Sequence, residues 1–312
     1  MIQNKENKRF YSNGKLLLSG EYLVLDGATA LAMPVKYGQS LELAQLQNNN
    51  LLRWEAYVMN KLWFFVEYNI ENLSIIKTNM KSVAEKLIKI LKTLLDAHPE
   101  FKEKLKARIV TNTNFDNEWG LGTSSTLISN LAYLASTNPY KLLQSVSNGS
   151  GYDIAAARQN SAFLFTKLKN SEPEIQEVEL NNNYTNNLYF VYLGKKQNSE
   201  KEVSNYLRNN SVTSKTISEI SSISRAITEA KNTVELNYLL KEHEKIISSI
   251  IGQESIQDKF FSDFNGQIKS LGAWGGDFIL ASTLNDAEYV NDYFKNKGLK
   301  TIFHYQDIII KS

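Results

Sequence analysis

The chain has 312 residues, enough for one large domain or two ordinary ones around a sizeable core. Its 35 Lys and Arg nearly balance 33 Asp and Glu, so no global field argues for nucleic acid or an anionic membrane, and an acidic ligand must be held by local charges. The absence of cysteine excludes disulfides, thiolate metal sites and cysteine nucleophiles, while three scattered histidines, His98, His243 and His304, argue against zinc and read as surface or satisfied side chains.

The opening MIQNKENKRF is polar and predicts a frayed segment without the apolar stretch of a signal peptide. No later window holds the apolar run of a membrane span, so a cytoplasmic protein is expected. Residues 15–25, KLLLSGEYLVL, read as two short apolar strands punctuated by Ser19 and Gly20, with a turn at Asp26-Gly27. Residues 41–46 and 52–58 alternate apolar and polar side chains as half-buried strands do. Between residues 80 and 97, Val83, Leu87, Ile90, Leu91, Leu94 and Leu95 recur at helical spacing, with lysines on the solvated face. Residues 106–113 predict another strand. It leads into WGLGTSSTL at residues 119–127, where an apolar helical pattern begins (Leu127, Ile128, Leu131, Leu134).

That string carries the first chemical signal. Gly120 and Gly122 let the backbone approach a ligand, and the first-turn N–H groups of a helix have no intrahelical partners. The helix dipole favours an anion there, so a phosphate is a natural occupant, although an ordinary Ser/Thr cap after a glycine turn gives the same string. A second glycine cluster follows at residues 147–159, SNGSGYDIAAARQ, where Asp153 precedes a run of helix formers. Asp153 there is either a carboxylate favoured by the dipole or a functional acid.

The second half predicts strands at residues 161–167 and 188–193 with an asparagine-rich turn at residues 181–183 between them. Several helices follow over residues 199–270, then a third glycine cluster, KSLGAWGGDFILAS, at residues 269–282. A helix over residues 285–297 between two last strands completes the chain. Helices beside a mostly antiparallel sheet indicate an α+β protein, with a boundary expected within residues 155–180. Three glycine clusters beside hydroxyl, acidic or lysine residues fit phosphoryl transfer better than hydrolysis. No G-x-S-x-G elbow, Walker lysine or protein-kinase signature is present.

In the order and spacing of NGKLLLSGEYLVLDG (residues 13–27), WGLGTSST (119–126) and LGAWGGD (271–277), the chain resembles the GHMP small-molecule kinases. The motifs span most of its length. Within that family GEYLVLD, the aromatic residue before GLG, GSGYDIAAA, LGKKQNS (residues 193–199) and GGD lean towards phosphomevalonate kinase. The resemblance implies a two-domain α+β architecture: an N-terminal ATP-binding half like ribosomal protein S5 domain 2 (residues 1–165) and a ferredoxin-like C-terminal half (residues 166–312).

It also implies roles. Gly120, Leu121, Gly122, Thr123, Ser124 and Ser125 would cradle the ATP phosphates, with Ser125 reaching Mg²⁺ and Gly272, Gly275 and Gly276 closing around the phosphates. Lys15 would neutralise the transferred phosphoryl group and Asp153 would face the acceptor. Glu21, Tyr22, Ser150, Gly151, Arg158, Lys195 and Lys196 are the expected substrate contacts. The expected partner is a small acidic molecule, phosphomevalonate before mevalonate or another small alcohol or sugar, with no nucleic acid and no membrane; a homodimer is admitted as an assembly. The pattern departs from the family at Asn13 for a proline, Thr123 for a serine, Thr126 for a small apolar residue and Trp274 for a glycine, which would place a bulky ring at the cleft. No acidic residue lies in residues 140–146, where mevalonate kinases carry a metal-binding glutamate. A non-catalytic nucleotide- or metabolite-binding relative is the rival from another class.

Overall fold

A computed structural model of the chain describes residues 8–46, 50–195, 199–209, 212–274 and 276–310. It divides into two compact units that interleave along the sequence. The first gathers the chain up to Gly14 with Tyr37–Asn117 and Gly122–Asn148. The second comprises Lys15–Lys36, Glu118–Leu121 and everything from Gly149 onward. A single cut at residue 165 does not describe these units, because two long strands, β1 (Lys8–Ser19) and β2 (Ala30–Gln45), each give one end to either unit.

The first unit is built on strands β3 (Leu51–Val58), β4 (Lys61–Asn69), β5 (Ile75–Thr78) and β6 (Ala107–Thr113), in the order β5-β4-β3-β6-β2. β3 pairs with β6 in parallel and the other neighbours are antiparallel. The β3–β4 hairpin turns on Met59 and Asn60, both at positive φ (49° and 62°), without the glycine that usually marks such a turn. Helix α1 (Lys81–Ala97) buries Ala84, Leu87, Leu91 and Leu94 on one face, and Lys81, Lys86, Lys89 and Lys92 are exposed on the other. A single turn, α2 (Lys102–Leu105), leads to β6, and α3 (Thr123–Ala135) and α4 (Pro139–Val146) complete the unit. Asn138 caps α4 by accepting hydrogen bonds from the N–H groups of Tyr140 and Lys141.

In the second unit the chain leaves β1 through Gly20 (φ 92°) and Tyr22 (φ 61°) into a 3₁₀ turn, Leu23–Asp26. The second strand expected at YLVL is therefore absent. Leu23 and Val24 satisfy their hydrophobicity by burial within the turn, which is closed by Val24 N–H donating to Gly20 O at 3.0 Å. The short helix α5 (Tyr152–Ala156) precedes β7 (Phe163–Thr166), which pairs with the start of β2 and with β8 (Glu174–Glu177). After the turn α6 (Asn182–Thr185), β9 (Leu188–Tyr192) begins a second sheet. Helices α7 (Ser199–Asn209), α8 (Ser214–Glu229), α9 (Thr233–Ile251) and α10 (Ile256–Phe260) intervene before β10 (Gln267–Ser270) and β11 (Phe278–Ser282). Helix α11 (Ala287–Asn296), β12 (Ile302–His304) and the turn α12 (Tyr305–Ile308) follow.

The second sheet runs β10-β11-β9-β12 and is antiparallel throughout. One core joins its Tyr189, Val191 and Ile279 to Phe261, Phe264 and Phe294. Mostly antiparallel sheets with helices segregated from them make the α+β class expected from the sequence. Among the described residues no helix is long and apolar enough to cross a membrane.

Candidate functional site

The hydroxyl-rich helix start belongs to the first unit. Gly122, at φ 94°, stands at the N-cap of α3, and the first ladder bond runs from Thr126 N–H to Gly122 O at 3.0 Å. The N–H groups of Thr123, Ser124 and Ser125 precede that bond, so they form the anion-attracting end of a 13-residue helix. Ser124 is exposed; Ser125 is buried and its Oγ–H donates to Gly122 O at 2.8 Å, leaving its lone pairs as acceptors or ligands. A buried polar relay fixes the helix. Asn130 accepts from Ser12 Oγ at 2.9 Å and donates to Gln39 O at 2.9 Å, tying α3 to residues of β1 and β2.

In the second unit a charged cluster forms around Lys15. Its backbone N–H donates to Leu121 O at 3.0 Å, and its Nζ donates to Gly120 O at 2.9 Å. The Tyr152 hydroxyl hydrogen-bonds the same ammonium, whose nitrogen lies 5.9 Å from that ring's centroid. Burial opposes the ammonium, but Tyr152, Asp277 and Asp153 together outweigh it and hold the Lys15 pKa above its ordinary value. Burial likewise raises the Tyr152 hydroxyl, with the lysine acting against it. Asp153 sits in the first turn of α5, anchored by the buried Ile154, Ala155 and Ala156, and accepts from Ile154 N–H at 3.0 Å. Gly151, at φ 97°, turns the chain into that helix. Asp277 is 7% exposed, and the Cβ of any side chain at Gly120 would collide with its carboxylate. This cluster combines a fixed cation with two carboxylates. It can neutralise an anionic group and orient or deprotonate a hydroxyl.

The first and third motifs meet elsewhere in this unit. Glu21, 1% exposed, accepts from Lys269 Nζ and from the N–H of Gly272, while its second oxygen lies 3.2 Å from His243 Nε2. Lys269 also faces Glu244 at 3.7 Å. His243 Nε2 accepts from Gly20 N–H at 3.0 Å, so the neutral ring carries its proton on Nδ1. Burial depresses His243 far below its usual pKa, with Lys269 adding to the effect. Burial also raises Glu21 and pushes Glu244 up to about 8. His243 is thus neither at the surface nor fully satisfied, since Nδ1 has no partner among the described residues. Tyr22 accepts from Trp274 N–H at 3.2 Å and packs against Tyr206, whose hydroxyl donates to Asp26 at 2.5 Å. The Trp274 ring, 5% exposed, lies in a cluster with Tyr22, Leu23, Tyr206, Ile220 and Ile247. It is folded into the core of its own unit.

No protein-family model matches the sequence and no curated protein matches it. Solved structures do match. The phosphomevalonate kinase of Streptococcus pneumoniae, in complex with phosphomevalonate and AMPPNP, superposes with a TM-score of 0.71 over 95% of this chain and 99% of that one, at 16% identity. The Methanococcus jannaschii mevalonate kinase gives 0.66 over 99% and 100%, at 15% identity. The Lactococcus lactis galactokinase complexed with galactose gives 0.62 over 99% and 94%, at 13%. The chain has the GHMP kinase fold.

Within that fold the expected site residues separate into groups. Lys15, Gly120 and Asp153 come together, and Gly122 to Ser125 form the helix start. Lys195 is exposed, but its carbonyl accepts from Asp277 N–H at 2.8 Å, which brings its backbone beside the cluster. Ser150 accepts weakly from Tyr152 N–H at 3.5 Å, and Arg158 is half-buried just after α5. Glu21 and Tyr22, expected to meet substrate, are buried and engaged by Lys269, Gly272 and Trp274; they tie two motifs together. Lys196 and Gly275 lie outside the described residues, while Gly272 (φ 66°) and the buried Gly276 flank the Trp274 turn. Sequence reasoning missed Tyr152, Asp277 and Lys269. The first two stood inside quoted motifs beside recognised residues, and Lys269 opened the third glycine cluster.

Proposed function

We propose that this chain is a Mg–ATP-dependent kinase of a small acidic acceptor, phosphomevalonate first and mevalonate second. The observation that carries the reading is the Lys15 ammonium, held on Gly120 O and Tyr152 and influenced by Asp153 and Asp277. Phosphoryl transfer asks a protein mainly for positioning and charge neutralisation, and this cluster offers both. The N-terminus of α3 fits a polyphosphate, because three first-turn N–H groups stand ahead of the helical ladder. The Ser125 hydroxyl fits a single magnesium position. No group of three or more acidic or histidine side chains among the described residues could hold a metal ion, so magnesium would arrive on the nucleotide, with phosphate oxygens and water as its other ligands. In the reaction an acceptor oxygen bonds to the γ-phosphorus of ATP, the bond from that phosphorus to the β–γ bridging oxygen breaks, and ADP leaves.

The role of Asp153 depends on the acceptor. An alcohol has a proton to lose, and Asp153 would take it as general base. A phosphate monoester, with a second pKa near ~6, is largely dianionic at neutrality, so Asp153 would orient it while Lys15, Lys195, Lys196 and Arg158 offset the repulsion between two phosphates. Burial of the Trp274 ring beside Tyr22 and Tyr206 supports the kinase reading over a non-catalytic relative, which the lack of an acidic residue in residues 140–146 still favours. ATP turnover measured with phosphomevalonate, mevalonate, homoserine and hexoses is expected to be fastest with phosphomevalonate. Nucleotide binding without turnover of any acceptor would overturn the kinase reading.

A further inference from the structure

Asp277 has a backbone φ of 53° in a stretch that is otherwise glycine-rich. Glycine would adopt that conformation without steric cost, whereas an L side chain there is strained. Strain of this kind persists where the surroundings over-determine it, and here they do. Asp277 N–H donates to Lys195 O at 2.8 Å, Leu193 N–H donates to Asp277 O at 2.8 Å, and the residue is nearly buried. Its carboxylate rests on the Cα of Gly120, where a methyl group would overlap both oxygens. The carbonyl of that glycine, itself at φ 65°, receives the Lys15 ammonium. Gly120 is therefore gripped from two directions, by a cation on its carbonyl and an anion against its Cα. The same anion acts on Lys15 together with Tyr152 and Asp153.

We propose that Asp277 is a positioning residue for phosphoryl transfer: its carboxylate locks the Gly120 peptide with its carbonyl turned to Lys15 and restrains the Lys15 ammonium. An unrestrained carbonyl in a phosphate loop could swing towards the incoming anion and repel it, and an unrestrained lysine would be a poorly aimed charge. The catalytic part of this inference rests on the kinase reading; the restraint of Lys15 and Gly120 does not.

The experiment uses the full-length protein with D277N, which keeps the shape, and D277G, which relieves the backbone. Three quantities are measured for each: Tm, the rate at which an amine-directed acylating reagent modifies Lys15 by peptide mass spectrometry, and kcat with KM for ATP. D277G is expected to hold or raise Tm while kcat falls by ~10-fold or more, a combination that a merely structural residue does not give. In both variants Lys15 acylation at fixed pH rises by up to ~10-fold, because a neighbouring carboxylate no longer favours the charged amine. Unchanged acylation in both variants overturns the restraint, whatever happens to Tm. Raised acylation with unchanged kcat overturns the catalytic role. If the wild-type protein phosphorylates no acceptor, the kinase reading fails, and acylation with Tm still decides whether Asp277 restrains Lys15.

Discussion

The helix-start placement of Asp153 was readable at the level of single residues because a carboxylate between a glycine turn and an Ala-rich run is a compact local pattern. Its neighbours were not, since the influence of Tyr152 and Asp277 on Lys15 depends on segments more than a hundred residues apart. The base-or-orienter argument makes a sharp prediction for this residue. Asp153→Asn is expected to lower kcat by ~10²–10⁴-fold with an alcohol acceptor, where a proton must be removed, and by only ~10-fold with a phosphate acceptor. Steady-state kinetics with mevalonate and phosphomevalonate on the same preparation measure both, and equal losses would contradict the argument. Glu21 marks the limit of local reading. Its motif was visible, but nothing local announces that Lys269, 248 positions later, meets its carboxylate.

At the scale of elements, period carried what was legible of the fold. The helical stripe of α1 and the alternation along β3 are local and came through intact. The YLVL strand failed because the positive φ values at Gly20 and Tyr22 redirect the backbone, and hydrophobicity alone cannot tell a buried turn from a buried strand. The β3–β4 hairpin was passed over because Met59 and Asn60 supply its turn without glycine. Trp274 belongs to this scale as well, since its ring holds the third glycine loop against Tyr22 and the helices carrying Tyr206, Ile220 and Ile247. Trp274→Ala should cost about 3–5 kcal/mol in urea unfolding, as expected for emptying a buried indole site. Trp274→Phe should cost only about 1–2 kcal/mol, because the indole N–H has no hydrogen-bond partner to lose among the described residues. A phenylalanine variant as unstable as the alanine one would show that the indole N–H is bonded after all.

For the molecule as a whole, the interleaving of the compact units escaped the sequence because long strands serve both, and so did the buried ionic cluster that couples stability to pH. Glu244 has an ordinary pKa of 4.5 and a folded value of about 8, raised by burial, so the folded chain holds a proton that the unfolded chain has released between those values. Its contribution to stability is complete below pH 4.5 and is lost as pH rises through about 8. Glu21, also raised by burial, acts in the same direction. His243, whose folded pKa lies far below 6.5, acts oppositely: its contribution is present above pH 6.5 and is lost as the solution is acidified. Below pH 6.5 the effects of Glu244 and His243 oppose one another, and between pH 6.5 and 8 Glu244 acts without the histidine. Unfolding free energy should therefore fall as pH rises across that window, by up to about 2 kcal/mol from Glu244, and E244Q should flatten the decline. Urea midpoints taken at half-unit intervals from pH 6 to 8.5 on both proteins measure the slope. An equally steep decline in E244Q would place the titrating proton elsewhere than on Glu244.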